Sequence, residues 1–109
     1  MEYIKVSETS ELSENMMMKV KAGDKEMLLA NVDGAYYAIV HKCTHLGWPL
    51  SKGALQGGTV TCPWHGAKFD VKTGKAVGDA KVAFMKMAVK DVASFPVKVE
   101  GTDILVGME

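Results

Sequence analysis

The 109-residue sequence contains no arginine; thirteen lysines carry its basic charge and balance seven Glu and six Asp to a formal net charge of zero. Lacking both net positive charge and the bidentate guanidinium forks suited to phosphate, the chain is not expected to bind nucleic acid. Long apolar runs are missing too. The longest, Ala35 to Val40, is six residues, against about 20 for a membrane-spanning helix. The opening Met-Glu-Tyr-Ile-Lys-Val has neither the basic nor the apolar region of a secretory leader. The expectation is a soluble, cytoplasmic protein with no membrane association. Cysteine is scarce: two residues cannot build a secreted disulfide scaffold, which favours a reducing compartment and metal chemistry. The length allows one domain with one core, burying roughly 60 to 70% of the unfolded chain's surface.

Short alternating or β-branched runs occur at Tyr3 to Val6, Met16 to Lys21, Met27 to Val32, Ala35 to Val40, Thr59 to Cys62, Lys68 to Val71, Val97 to Glu100 and Ile104 to Val106. Between them, Ala22-Gly23-Asp24, Asp33-Gly34, Gly57-Gly58, Thr73-Gly74 and Gly101-Thr102 supply turn residues that tolerate positive φ. The pattern predicts an all-β sandwich or barrel. In Ala67 to Lys72, apolar Ala67, Phe69 and Val71 alternate with Lys68, Asp70 and Lys72, the signature of a half-buried strand. Ala80 to Ala93 is rich in Ala, Lys and Met without turn residues and predicts one short helix, with a strand as the alternative because of Val82 and Phe84.

Between His41 and Ala80 lie seven of the eleven Gly, two of the three Pro, both Trp, both Cys and all three His. Residues 41 to 75 carry five Lys (42, 52, 68, 72, 75) against the single acid Asp70, whereas residues 1 to 33 carry seven acids against four Lys. Within this segment, Cys43-Thr44-His45 and, after sixteen intervening residues, Cys62-Pro63-Trp64-His65 each offer one thiolate and one imidazole. Glycine and an aromatic accompany both pairs (Gly47 and Trp48; Trp64 and Gly66), so they read as two similar loops facing one site. Three chemistries use these groups. A Cys43–Cys62 disulfide ignores both histidines and suits another compartment. A Cys2His2 zinc site has the right ligand count, but zinc knuckles usually pair Cys with Cys and His with His. A Rieske-type [2Fe-2S] cluster takes two Cys on one iron and two His on the other, which one Cys and one His per loop allows.

The words Cys43-Thr-His45-Leu-Gly47-Trp-Pro-Leu and Cys62-Pro63-Trp64-His65-Gly66-Ala-Lys-Phe69-Asp70 resemble the two binding boxes of Rieske-type ferredoxins of oxygenase systems. Gly34-Ala-Tyr-Tyr-Ala-Ile-Val, Leu50-Ser-Lys-Gly53-Ala-Leu and Phe95-Pro-Val-Lys-Val-Glu-Gly101 are similar to further words of that family, so the likeness runs from about Met27 to Val106. The resemblance implies a single Rieske domain over residues 1 to 109. Its fold would be an antiparallel β-sandwich with a cluster-binding subdomain inserted at about residues 41 to 75, to which the helix near 80 to 93 would be added. It implies one [2Fe-2S] cluster per chain, with Cys43 and Cys62 on the inner iron and His45 and His65 on the outer, solvent-facing iron. The chain departs from many relatives after the second box: Gly78-Asp79-Ala80 holds no proline where they carry a proline-bearing loop, and the segment up to Phe95 is longer.

Two ferric ions, two sulfides, two thiolates and two neutral imidazoles sum to zero, so such a site accepts one electron more readily than a four-thiolate site at minus two. No nucleophile and base pair or phosphate loop is evident, so the expected role is a single-electron carrier and not an enzyme. The resemblance implies a soluble ferredoxin of a bacterial or archaeal oxygenase system, between a flavin-dependent reductase and a terminal oxygenase. Alternatives are the small subunit of an assimilatory nitrite reductase and, in another class, a zinc-stapled Cys2His2 interaction module. Higher-potential relatives carry an extra Cys in each box, a Ser after the second His-Gly and a Tyr two residues on; this chain has Trp48, Trp64, Ala67 and Phe69 there, implying a low potential. His41 is expected to be a strand-end residue, and Trp48 and Trp64 to shield the cluster. Met16, Met17 and Met18 should alternate between faces in core and edge packing rather than bind copper. The five lysines are either a solvated surface or a docking face for acidic partners, with Lys42, Lys52 and Lys68 nearest the boxes.

Overall fold

The computed structural model describes residues 2–42, 49–63, 66–78, 80–82, 85–87 and 90–108. Thirteen strands run through them: β1 (Glu2–Glu8), β2 (Met17–Ala22), β3 (Lys25–Val32), β4 (Ala35–Val40), β5 (Ala54–Gln56), β6 (Thr59–Thr61), β7 (Lys68–Asp70), β8 (Ala76–Gly78), β9 (Ala80–Val82), β10 (Met85–Met87), β11 (Ser94–Phe95), β12 (Val97–Glu100) and β13 (Asp103–Met108). Two 3₁₀ turns, Thr9–Glu11 and Leu50–Lys52, are the helical elements among the described residues. Every named strand pair is antiparallel.

The hairpins follow from the turn chemistry. Val32 pairs with Ala35 across Asp33-Gly34, and Gln56 pairs with Thr59 across Gly57-Gly58. All four turn residues have positive φ (53°, 92°, 58° and 81°), the tight connection whose twist matches that of the flanking strands. Strands assemble in the orders β11-β4-β3-β2, β1-β13-β12 and β5-β6-β7-β8, with β9-β10 as a separate hairpin.

The first of these sheets lies between the other two. From β3, Leu28, Ala30 and Val32 join Leu50, Val60, Cys62, Ala67, Phe69 and Val71 in one core, while Met27 and Leu29 join Leu12, Val20, Ile104 and Val106 in the other. A strand covered on both faces must be apolar at consecutive positions, which explains the run from Met27 to Ala30. Ala67, Phe69 and Val71 are buried and Lys68 and Lys72 exposed, as the alternation predicts. Met17 packs against the first core and Met18 against the second, while Met16 is exposed.

Among the described residues of 80 to 93 the expected helix does not form, and the alternative reading as strand holds for Ala80–Val82 and Met85–Met87. β9 and β10 pair as a hairpin, Met85 with Val82, Lys86 with Lys81 and Met87 with Ala80; after Lys90 the chain returns to the β4 edge, where Ser94 and Phe95 pair with Ile39 and Ala38. The helical preference of Ala, Lys and Met is worth only tenths of a kcal/mol per residue and yields to cross-strand pairing.

Candidate metal centre

Two short loops leave the small β5-β6-β7-β8 sheet and its neighbour at one end, and each is closed at its base by backbone hydrogen bonds. For the first, the Leu50 N–H donates to the His41 carbonyl at 2.8 Å and Lys42 bridges Pro49. For the second, the Cys62 N–H donates to the Ala67 carbonyl at 2.7 Å, immediately beyond the Thr61–Lys68 pair. The two bases touch. Gly53, at the end of the 3₁₀ turn that follows the first loop, lies so close to β6 that an added Cβ would stand 1.8 Å from the Thr61 carbonyl oxygen.

Of the four expected ligands, Cys62 lies within the described residues; Cys43, His45 and His65 lie outside them, as do Trp48, Trp64 and Asp79. Cys62 is 2% exposed and belongs to the apolar core with Leu50, Val60, Ala67 and Phe69. Cys62 thus places a sulfur against the core, and the described neighbours that flank the rest of the turn, Pro63 and Gly66, are open to solvent. A buried Cys62 sulfur, with two thiols and two imidazoles in the sequence of the two loops, suits the donor set of a Rieske-type cluster.

His41 is the strand-end residue expected, directly after β4, and it is buried at 5% exposure. Its Nε2 stands 2.6 Å from Ser51 Oγ, so a side-chain contact spans the same loop that the Leu50 hydrogen bond closes. Burial pushes the imidazole below its ordinary pKa range; the Glu26 charge opposes this, and those of Lys19 and Lys42 reinforce it. Sequence reasoning missed Ser51 and Gly53 as parts of the site, although both stand in the Leu50-Ser-Lys-Gly53 word. Ser51→Ala leaves a buried imidazole nitrogen without this partner, at a cost of about 1 to 3 kcal/mol. The expected result is a lowered midpoint of thermal unfolding with an unchanged visible spectrum.

The family description "Rieske [2Fe-2S] domain" matches residues 2–96. The chain belongs to the Rieske [2Fe-2S] family. It is 35% identical over 105 residues to the ferredoxin component of biphenyl 2,3-dioxygenase from Rhodococcus jostii (strain RHA1), covering 96% of this chain and 92% of that one. The ferredoxin of carbazole 1,9a-dioxygenase from Nocardioides aromaticivorans IC177 superposes with a TM-score of 0.85 at 24% identity, each chain covered in full (100%), and shares the fold. A complex of reduced oxygenase and oxidized ferredoxin in carbazole 1,9a-dioxygenase contains a similar chain, with a TM-score of 0.80 at 27% identity and coverage of 95% of this chain and 91% of that one. The antiparallel β architecture is thus that of Rieske ferredoxins, and the cofactor of this Rieske chain is a Rieske-type [2Fe-2S] cluster. Among the described residues no helix is long and apolar enough to cross a membrane.

Proposed function

We propose that this Rieske chain is a one-electron carrier. It takes electrons from a flavin-dependent reductase and delivers them to a terminal oxygenase, with Cys43 and Cys62 on the inner iron and His45 and His65 on the outer. The observation that carries this reading is the burial of Cys62 at the base of a turn in which Pro63 and Gly66 are exposed. When bound, the cluster supplies reversible one-electron chemistry at a site of low net charge. The protein's own contribution is positional. Cys62 is fixed by the core beneath it and by its backbone bond to Ala67, and the two loop bases are locked together where Gly53 meets Thr61. Lys42, Lys52 and Lys68 are exposed around these bases and supply positive charge for an acidic partner. The ferredoxin relatives, named as components of dioxygenase systems, support the carrier role.

Visible and electron spin resonance spectra of protein made with iron, together with iron and acid-labile sulfide analysis, test the reading. Two irons and two sulfides per chain with a Rieske spectrum are expected; a colourless, zinc-loaded protein would overturn it.

The same site is expected to sit near the bottom of the Rieske potential range. Ala67 is fully buried beside the turn, and its methyl group donates no hydrogen bond. In Ala67→Ser a hydroxyl placed there, away from water, would be available to a sulfur of the bound cluster, and a hydrogen bond to it would favour the more negative, reduced form. At about 1 to 2 kcal/mol for such a bond, the midpoint potential rises by roughly 40 to 90 mV for one electron. Sulfur accepts weakly, so the lower end is expected. Protein-film voltammetry of the two forms checks the sign, and a fall in potential would contradict it.

A further inference from the structure

Lys68 sits in a defined setting beside the second loop. It opens β7 one residue after Ala67, pairs with Thr61 on one side and with Gly78 on the other, and is exposed. Between Lys68 and Phe69 the β7–β8 register shifts: Lys68 faces Gly78 while Phe69 faces Ala76, leaving Val77 as the extra residue. Such a bulge re-aims side chains locally, and Val77 is 57% exposed beside it.

Gly78 decides how the lysine lies. A Cβ built on it would stand 3.1 Å from Lys68 Cβ and 3.2 Å from both Cγ and Cδ, so the lysine stem is laid flat across a residue with no side chain. Lys68 lines a hollow of about 260 Å³ together with Gln56, Thr59, Thr61 and Val77. An amide, two hydroxyls and a cation with one apolar contact form a lining suited to a carboxylate. The nearest acid on this sheet, Asp70, faces Thr59 in the register and accepts the Lys72 backbone N–H at 2.8 Å. Among the described residues Lys68 forms no ion pair, whereas Lys5, Lys19 and Lys98 are each paired with an acid elsewhere.

We propose that the hollow around Lys68, held open by Gly78 and the Val77 bulge, is the docking point for a carboxylate side chain of the redox partner. This rests on the carrier reading and adds to it a specific place. Thr61 and Lys68 flank the Cys62-to-Ala67 turn, so a partner seated here is brought against the second ligand loop. A flexible lysine gives steering alone, whereas a lysine already laid across the sheet loses less side-chain entropy on docking.

The test uses the reduced holoprotein and two small oxidants of opposite charge, hexacyanoferrate(III) and hexaamminecobalt(III), in stopped flow at low and high ionic strength. Lys68→Met keeps the stem and removes the charge. It should slow the anionic oxidant about two- to fourfold near 10 mM salt, the size expected for one charge acting on a trianion at about 10 Å under weak screening. It should leave the cationic oxidant equal or faster, and the difference should vanish near 0.5 M salt. Gly78→Ala, which displaces the stem, should act in the same sense, and the double variant should be no slower than Lys68→Met. A decaglutamate peptide should slow the anionic reaction of wild type in a saturable way and that of Lys68→Met much less. Equal slowing of both oxidants, additive single effects, or peptide inhibition that ignores Lys68 would overturn the docking point while leaving the carrier reading intact. A holoprotein without a Rieske spectrum would instead overturn the carrier reading. If Gly78→Ala does not fold, the Lys68→Met and peptide measurements decide the matter alone.

Discussion

Cys62→Ala is expected to yield a folded but colourless protein, with iron and sulfide below one tenth of the wild-type content, and Cys43→Ala, His45→Ala and His65→Ala should do the same. Each substitution removes one of the four proposed ligands and opens a coordination position from which iron is readily lost. Cys62 adds a second reason. It belongs to the apolar core with Leu50, Val60 and Phe69, where an alanine fits well enough to keep the apoprotein folded but cannot hold iron. His41→Ala separates ligand from support. That imidazole faces Ser51 at 2.6 Å, so its loss should lower stability and leave the colour. A bleached His41→Ala protein beside a coloured His45→Ala protein would reverse the proposed ligand assignment. Visible absorption, metal analysis and far-ultraviolet circular dichroism on the same preparations give the answer.

The difference between His41 and His45 also marks what the sequence can reveal. Ligand chemistry is written locally: a thiolate and an imidazole in each of two short words, beside glycine and an aromatic, limit the possible metals before any fold is known. Strands that alternate over several residues are legible for the same reason, and Ala35–Val40 and Val97–Glu100 keep their expected bounds in the structure. The turns at Asp33-Gly34 and Gly57-Gly58 are legible because few other residues take that backbone conformation. Strands β5, β8 and β11 span three residues or fewer, too short for a period to emerge. In the 80 to 93 segment Ala, Lys and Met favour the helix over the strand that Val82 and Phe84 also allow, while the observed pairing of Ala80–Val82 with Met85–Met87 depends on cross-strand neighbours that such preference ignores. Supports of the site were hidden for another reason. His41–Ser51, Gly53–Thr61 and Lys68–Gly78 are each adjacent only after the chain has folded back on itself, so no local pattern records them.

Gly53→Ala and Gly74→Ala are expected to be the most destabilising single-methyl additions in the described chain, and they should fail differently. At Gly53 the backbone is ordinary (φ −88°) and the obstacle is space: the new Cβ would stand 1.8 Å from the Thr61 oxygen. Backbone cannot rotate away as a side chain can, so either the Leu50–Lys52 turn or the end of β6 must shift by more than an ångström. Those two segments are the bases of the two ligand loops. At Gly74 the new Cβ would stand 2.0 Å from the Val92 oxygen, and φ is +80°, which adds a left-handed cost of about 1 to 2 kcal/mol. The contact there is with the 90 to 93 strap, held by Val92 N–H to Gly74 O at 2.8 Å and Ala76 N–H to the Asp91 carboxylate at 2.8 Å, away from the two loop bases. Overpacking of this kind costs about 1 to 3 kcal/mol or more, equivalent to some 4 to 8 °C in unfolding midpoint for each kcal/mol in a domain of this size. Both variants should therefore melt well below wild type. Gly53→Ala should also emerge with poor iron content, because its strain falls between the loops, whereas Gly74→Ala should load normally. Gly23→Ala, with positive φ but nothing within 4 Å of the new Cβ, isolates the conformational cost and should lose the least. If Gly53→Ala melts and loads like Gly23→Ala, the two loop bases are not locked together through this contact.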